Sequence, residues 1–147
     1  MKRICILIIL LMVVTGCKKD TFYLESECYS NSGIIEIDNN KFNELVQNKK
    51  SFVVFIYDPI CITSNNFSEI LTEFSSDNQI KFYKMSFENM KSTELNNKIK
   101  FYPSLVLINK GKLVDYLDAE SDEDKEYYKN IDAFEKWFYS YVNKNDM

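Results

Sequence analysis

The chain reads as an α/β fold, five short strands with about four helices against them, and three stretches carry that reading. Residues 52–57, FVVFIY, are all apolar or aromatic, as a strand buried on both faces requires, and they stop at the turn signal Asp58-Pro59. Phe67, Ile70, Leu71 and Phe74 then recur at i, i+3, i+4 and i+7, one face of a helix. Farther on, Pro103 precedes the apolar run Leu105, Val106, Leu107 and Ile108, the turn Asn109-Lys110-Gly111-Lys112 and a further strand at 113–117. Proline lacks the ladder N–H, so it belongs at the first position of a strand and not in its interior. An X-Pro bond is also open to the cis form.

The other elements follow in order. Residues 1–16 read as a signal peptide: Lys2 and Arg3 open it, and residues 4–14 form an apolar run too short to span a bilayer as a helix. Val14-Thr15-Gly16-Cys17 follows. This resembles the lipobox of bacterial lipoproteins, and an ordinary secretory signal with a chance cysteine is the alternative. The resemblance implies cleavage before Cys17, a lipid on its sulfur, and a domain held at the extracytoplasmic face of the cell membrane. Lys18 and Lys19 would then lie beside headgroups. Residues 17–32 are polar and without period, a lipidated tether open to packing in part. The domain spans 33–142, and 143–147 form a tail.

Within the domain, residues 33–37 read as a strand, and Asp38 or Asn39 caps a helix whose apolar face is Phe42, Leu45 and Val46. After the central strand and its helix, residues 75–78 read as a loop and 79–87 as a strand. Residues 88–100 read as a helix of modest amphipathicity, with Met90, Leu95 and Ile99 inward. Ile131, Phe134, Trp137, Phe138 and Tyr141 mark a C-terminal amphipathic helix. Before it, residues 115–126 carry seven acids against Lys125 alone. The spacing Asp118-x-Glu120-x-Asp122 offers oxygen ligands to calcium, but the stretch lacks the glycine and distal glutamate of an EF-hand loop. A solvated acidic loop is the favoured reading.

Composition narrows the chemistry. A chain of 147 residues with eleven Phe, ten Tyr and three Gly makes one packed domain. The net charge is −4, and losing Lys2 and Arg3 with the first sixteen residues makes it −6. No basic patch interleaved with aromatics suggests nucleic acid. There is no histidine, which excludes His-based triads and argues against a zinc site. General acid or base work is left to carboxylates, lysine, tyrosine or cysteine. No metal or organic cofactor is implied.

The central strand delivers Cys61 to the start of a helix, where free backbone N–H groups and the helix dipole favour a thiolate. Together, the strand at 52–57, Cys61-Ile62-Thr63-Ser64 opening a helix, and Tyr102-Pro103-Ser104 before a strand–Gly111–strand hairpin resemble the thioredoxin-like superfamily over residues 33–142. The resemblance implies a five-stranded mixed sheet, Cys61 as nucleophile, a cis Pro103 beside it, and a backbone edge at Tyr102 that pairs with an extended peptide. The family motif is usually C-x-x-C, and here Ser64 holds the second position. A hydroxyl can hydrogen-bond to the Cys61 sulfur but cannot resolve a mixed disulfide. Phe55 stands where many relatives have an acid, and Ile60 where they have a tryptophan.

These departures leave two expectations. One is monothiol exchange with, or capture of, thiols and disulfides of envelope or secreted proteins, with an external reducing partner for turnover. The other is a non-catalytic binding module in which Cys61 is packing chemistry. In such a sheet the first strand starts at the end away from Cys61. A disulfide needs Cα atoms within about 7 Å, so Cys28 is expected to be a free or buried thiol, with pairing to Cys61 the lesser alternative.

Overall fold

A computed structural model describes residues 20–145, so the predicted signal peptide and Cys17 lie outside the described residues. The strands are β1 (Gly33–Glu36), β2 (Phe52–Tyr57), β3 (Lys81–Ser86), β4 (Ser104–Asn109) and β5 (Lys112–Asp118). The helices are α1 (Asn39–Gln47), α2 (Ile62–Asn78), α3 (Phe87–Met90) and α4 (Ile131–Tyr139). The sheet order is β1-β3-β2-β4-β5. β3 runs parallel to β1 and to β2, while β4 is antiparallel to both β2 and β5. This is the five-stranded mixed sheet with four helices that the sequence predicts.

β2 sits in the middle and is covered on both sides. Phe52 meets Phe42 of α1 edge-on, and Phe55, pointing the other way, meets Phe67 of α2. On that second side α2 and α4 pack ring to ring, through Phe67, Phe74, Phe134 and Phe138. Period-2 alternation sorts the strand's side chains onto the two faces, so a fully apolar run is what a central strand with helices on both faces needs.

Two expectations change. Residues 75–78 are not a loop: α2 continues to Asn78, and Gln79 ends it in the left-handed conformation. Ser75 is buried there, accepting from the Gly33 N–H and donating to the Ile80 carbonyl, which ties the helix to the start of β1. Residues 88–100 do not form one helix. They break into α3 and a 3-10 turn at Glu94–Asn97, each opened by its own cap, Ser86 and Thr93. A hydroxyl that accepts a backbone N–H locally offers the chain an alternative to continuing a helix.

Residues 20–32 of the expected tether do pack, as a strap along much of their length. Phe22 bridges to Val142 in parallel, with backbone bonds from Phe22 N–H to the Tyr141 carbonyl and from Asn143 N–H to the Phe22 carbonyl. Phe22, Leu24 and Cys28 are buried. The Tyr29 hydroxyl accepts from the Leu24 N–H and donates to the Asn143 carbonyl. Glu25 accepts from the Ser51 N–H and pairs with Lys50 at 3.1 Å, fastening the strap beside the start of β2.

The β4–β5 turn is clamped in turn onto the end of α1. Gly111 has φ +74° and donates to the Lys50 carbonyl at 2.9 Å. A Cβ at Gly111 would lie 2.4 Å from the Val46 carbonyl oxygen. Gly111→Ala therefore meets both a left-handed backbone and a backbone clash. It should lower stability by roughly 2–3 kcal/mol, read as a lower urea midpoint at unchanged slope.

Candidate functional site

The end of β2 builds the site. Asp58 folds the chain over: its carboxylate accepts the Ile60 N–H at 3.0 Å and its carbonyl accepts the Cys61 N–H at 3.2 Å. Cys61 then takes the N-cap of α2 in extended geometry, and its carbonyl accepts the Asn65 N–H at 3.1 Å. Its side chain caps nothing and is partly exposed. The sulfur thus stands at the open end of a seventeen-residue helix, where the helix dipole favours negative charge.

Ser64 lies one turn on, buried, and its hydroxyl accepts the Asp58 N–H at 3.2 Å. The expected partner was the Cys61 sulfur, and no hydrogen bond joins the two. Ser64 holds the turn that presents Cys61.

Across from Cys61 the Tyr102–Pro103 peptide is cis, and Pro103 is buried. Cys61, Tyr102 and Pro103 line one groove of about 370 Å³, closed by Thr63, Phe101 and Lys100 on one part and by Ala119 and Glu120 on another. The structure therefore gathers three of the sequence-predicted residues at one surface, with Ser64 directly behind. Cys17 lies outside the described residues. The rim is apolar: Ile60 is 90% and Ile62 76% exposed, and Phe101 and Tyr102 are also exposed. The Tyr102 ring rests on Phe87, with centroids 4.8 Å apart.

Sequence reasoning missed Tyr128. It closes a 3-10 turn at Lys125–Tyr128, just past the acidic stretch expected as a solvated loop. It is buried against Phe67 with centroids 4.4 Å apart, and its hydroxyl donates to the Pro103 carbonyl at 2.9 Å. Burial pushes its phenol well above the ordinary tyrosine value, so it stays a donor. The signal available was an aromatic pair, Tyr127-Tyr128, at the end of an otherwise acidic run.

Phe55, where an acid was looked for, is fully packed against Phe67 and offers no proton relay. Cys28 is free and 1% exposed. It lies with Glu25 and Glu27 near Lys50 and Lys81, at the start of the parallel strands. Cys61 follows their ends, roughly 20 Å away along a six-residue strand, so the two thiols do not pair. In the acidic stretch, the Asp124 carboxylate accepts the Asp118 N–H and the Asp118 carboxylate accepts the Glu120 N–H. Among the described residues no three His, Cys, Asp or Glu side chains gather as a metal centre.

The family described as Thioredoxin matches residues 33–132. The backbone is similar to a reduced thioredoxin of Schistosoma mansoni, with TM-score 0.57, 21% identity, and coverage of 76% of this chain and 100% of that one. It is similar to a mutant thioredoxin of Halobacterium salinarum, with TM-score 0.56, 12% identity and coverage of 81% and 96%. It is also similar to mitochondrial thioredoxin 3 of Saccharomyces cerevisiae, with TM-score 0.53, 18% identity and coverage of 71% and 92%. At such identities the likeness concerns the fold. No curated protein matches the chain in sequence.

The two thiols should separate chemically. Iodoacetamide on native protein should label Cys61 and spare Cys28 until the chain is unfolded, read by peptide mass. Burial first, then Glu27 and Glu25 against the pull of Lys81, pushes the Cys28 thiol up from 9.0 to about 11. A thiol held protonated by the fold stabilises it below the ordinary value, and that stability is lost as pH rises through the folded one. The urea midpoint should thus fall between about pH 9 and pH 11, and fall less in Cys28→Ala. Tyr128→Phe leaves the buried Pro103 carbonyl without its donor and should cost about 1–3 kcal/mol.

Proposed function

The chain belongs to the thioredoxin family, and from that premise we propose that it is a membrane-anchored, extracytoplasmic monothiol protein that exchanges with or captures disulfides of envelope proteins. One observation carries the reading. Cys61 stands at the N-cap of α2 in the same groove as the cis Tyr102–Pro103 peptide, with a serine where a second thiol would resolve the product. The thiolate of Cys61 attacks one sulfur of a partner disulfide. A Cys61–partner disulfide forms, the original bond breaks, and the partner's other sulfur leaves as thiolate. Ser64 cannot displace the adduct. An external thiol attacking it restores the Cys61 thiolate, so turnover depends on a reducing partner. The exposed Tyr102 and the apolar rim of Ile60, Ile62 and Phe101 offer a surface for an extended peptide beside the sulfur. A lipid on Cys17 would hold the domain at the membrane.

A non-catalytic binding module is the second reading. It is favoured by the Ser64 hydroxyl being committed to Asp58 rather than to sulfur.

Reaction with the aromatic disulfide DTNB separates the two. The native chain should release one fast equivalent of thiolate and retain the adduct until dithiothreitol is added. Cys61→Ser should lose the fast phase. Ser64→Cys should expel the adduct and leave an internal disulfide between Cys61 and the introduced thiol. A Cys61 rate no faster than that of thiols in the unfolded chain would reject exchange in favour of binding. In a bacterial host, labelled palmitate should enter the wild-type chain and be absent from Cys17→Ser.

A further inference from the structure

Residues 101–103 form the groove wall across from Cys61, yet the sheet does not hold them. The β2–β4 ladder ends at Ile56 and Ser104, and the β4–β5 ladder ends at Ser104 and Asp118. Pro103 lies one residue beyond both, so ladder bonds do not set where it sits. Two hydroxyls do this instead. Ser104, fully buried, donates to the Phe101 carbonyl at 2.9 Å. Tyr128 donates to the Pro103 carbonyl, also at 2.9 Å.

Tyr128 is itself fixed from outside the groove. It ends a 3-10 turn in which the Glu126 carbonyl accepts the N–H groups of Lys129 and Asn130, and Asn130 caps α4 through the Ala133 N–H. Tyr128 is 5% exposed, and its ring lies on Phe67, six residues after Cys61 on α2. Phe67 is wedged in turn between Phe55 of β2 and Phe134 of α4. One side chain thus joins the two halves of the site. The ring is seated on the helix that Cys61 opens, and the hydroxyl holds the wall across from the sulfur. Burial keeps the phenol protonated, so it donates throughout the pH range of thiol chemistry.

We propose that Tyr128 is a positioning residue for disulfide exchange at Cys61, with Ser104 as the second hold on the same wall. The inference rests on the exchange reading of Cys61. In that step the Cys61 thiolate forms a bond to one sulfur of an extended peptide disulfide, and the other sulfur leaves as a thiolate. The peptide lies along residues 101–103 to bring its sulfur in line with Cys61, and a small displacement of a positioning group is enough to slow such a step. A buried carbonyl left without a donor is costly. Without the Tyr128 hydroxyl, Pro103 shifts toward another donor and the wall moves with it. The reactivity of the thiol itself comes from the start of α2 and does not depend on this hold. Tyr128 therefore governs reaction with an extended peptide and not with a small reagent that needs only the sulfur.

The test compares two reagents on the full chain, with the product at Cys61 read by peptide mass. Iodoacetamide needs only the sulfur. The disulfide-linked dimer of blocked Ala-Val-Cys-Val-Ala needs the groove as well. In Tyr128→Phe the peptide-disulfide rate should fall about tenfold, while the iodoacetamide rate and its pH profile stay as in wild type. Gly111→Ala should destabilise the fold as much, but it lies at the β4–β5 turn against the end of α1 and should leave both rates unchanged. If Tyr128→Phe fails to fold, Ser104→Ala replaces it and should show the same split between reagents. Equal peptide rates in the variant and wild type, a parallel fall with both reagents, or the same split in Gly111→Ala would overturn the proposal. A wild-type chain that is alkylated at Cys61 but inert to the peptide disulfide would instead remove the exchange reading, and this proposal with it.

Discussion

The site rests on the burial of β2. Its six residues are walled in by α1 on one face and α2 on the other, and full burial of each large apolar side chain contributes about 1.5–3 kcal/mol. A strand fixed on both faces cannot slip, because a one-residue shift would reverse every side chain. Its end is therefore a fixed point. The Asp58 turn is built on that point, and the turn sets where Cys61 enters α2. The same strand pairs with β4, whose first residue Ser104 faces Ile56. Pro103, one residue earlier, is thereby brought to the same place. Two motifs some forty residues apart meet because one strand holds both.

How well the sequence foretold the structure depended on how local each cause was. The run FVVFIY, the apolar spacing after Cys61, and the Lys110-Gly111 turn each carry their own explanation, and each element stands where the pattern put it. The break between α3 and the 3-10 turn came from two caps, Ser86 and Thr93, competing with weak periodicity. Ser75 looked like a loop residue because serine is poor in helices. Its hydroxyl is instead used by Gly33 and Ile80, partners on other elements. The strap at 20–32 shows no period because its order comes from Tyr141, Asn143 and Ser51. Tyr128 was hidden for the same reason: its partners, Phe67 and Pro103, lie far away in the chain.

Under the proposed function, Ser64 keeps the frame of the site while changing its chemistry. A thiol at this position would face Cys61 from one turn along the helix. The hydroxyl bonds to the Asp58 N–H instead and stiffens the loop that carries the sulfur. Phe55 likewise puts a buried ring, packed on Phe67, where an acid was looked for. Under the proposed monothiol chemistry, both residues keep the geometry around Cys61 and Pro103 without the parts that would complete an internal cycle.

The strap also gives the molecule a polarity. It is fastened at Ser51 and Tyr141–Asn143, where the parallel strands begin, and the Cys61 sulfur lies at the opposite pole, roughly 20 Å off along the strands. Whatever the chain is attached to upstream of residue 20 therefore holds it by its base. Under the proposed attachment at Cys17, the domain would stand on the membrane like a lamp on its foot, with Cys61 facing outward. The clamp through Phe22, Glu25 and Tyr29 takes slack out of the tether, so the thiol would meet proteins that arrive from the aqueous side and would not bend back to disulfides lying in the headgroup layer.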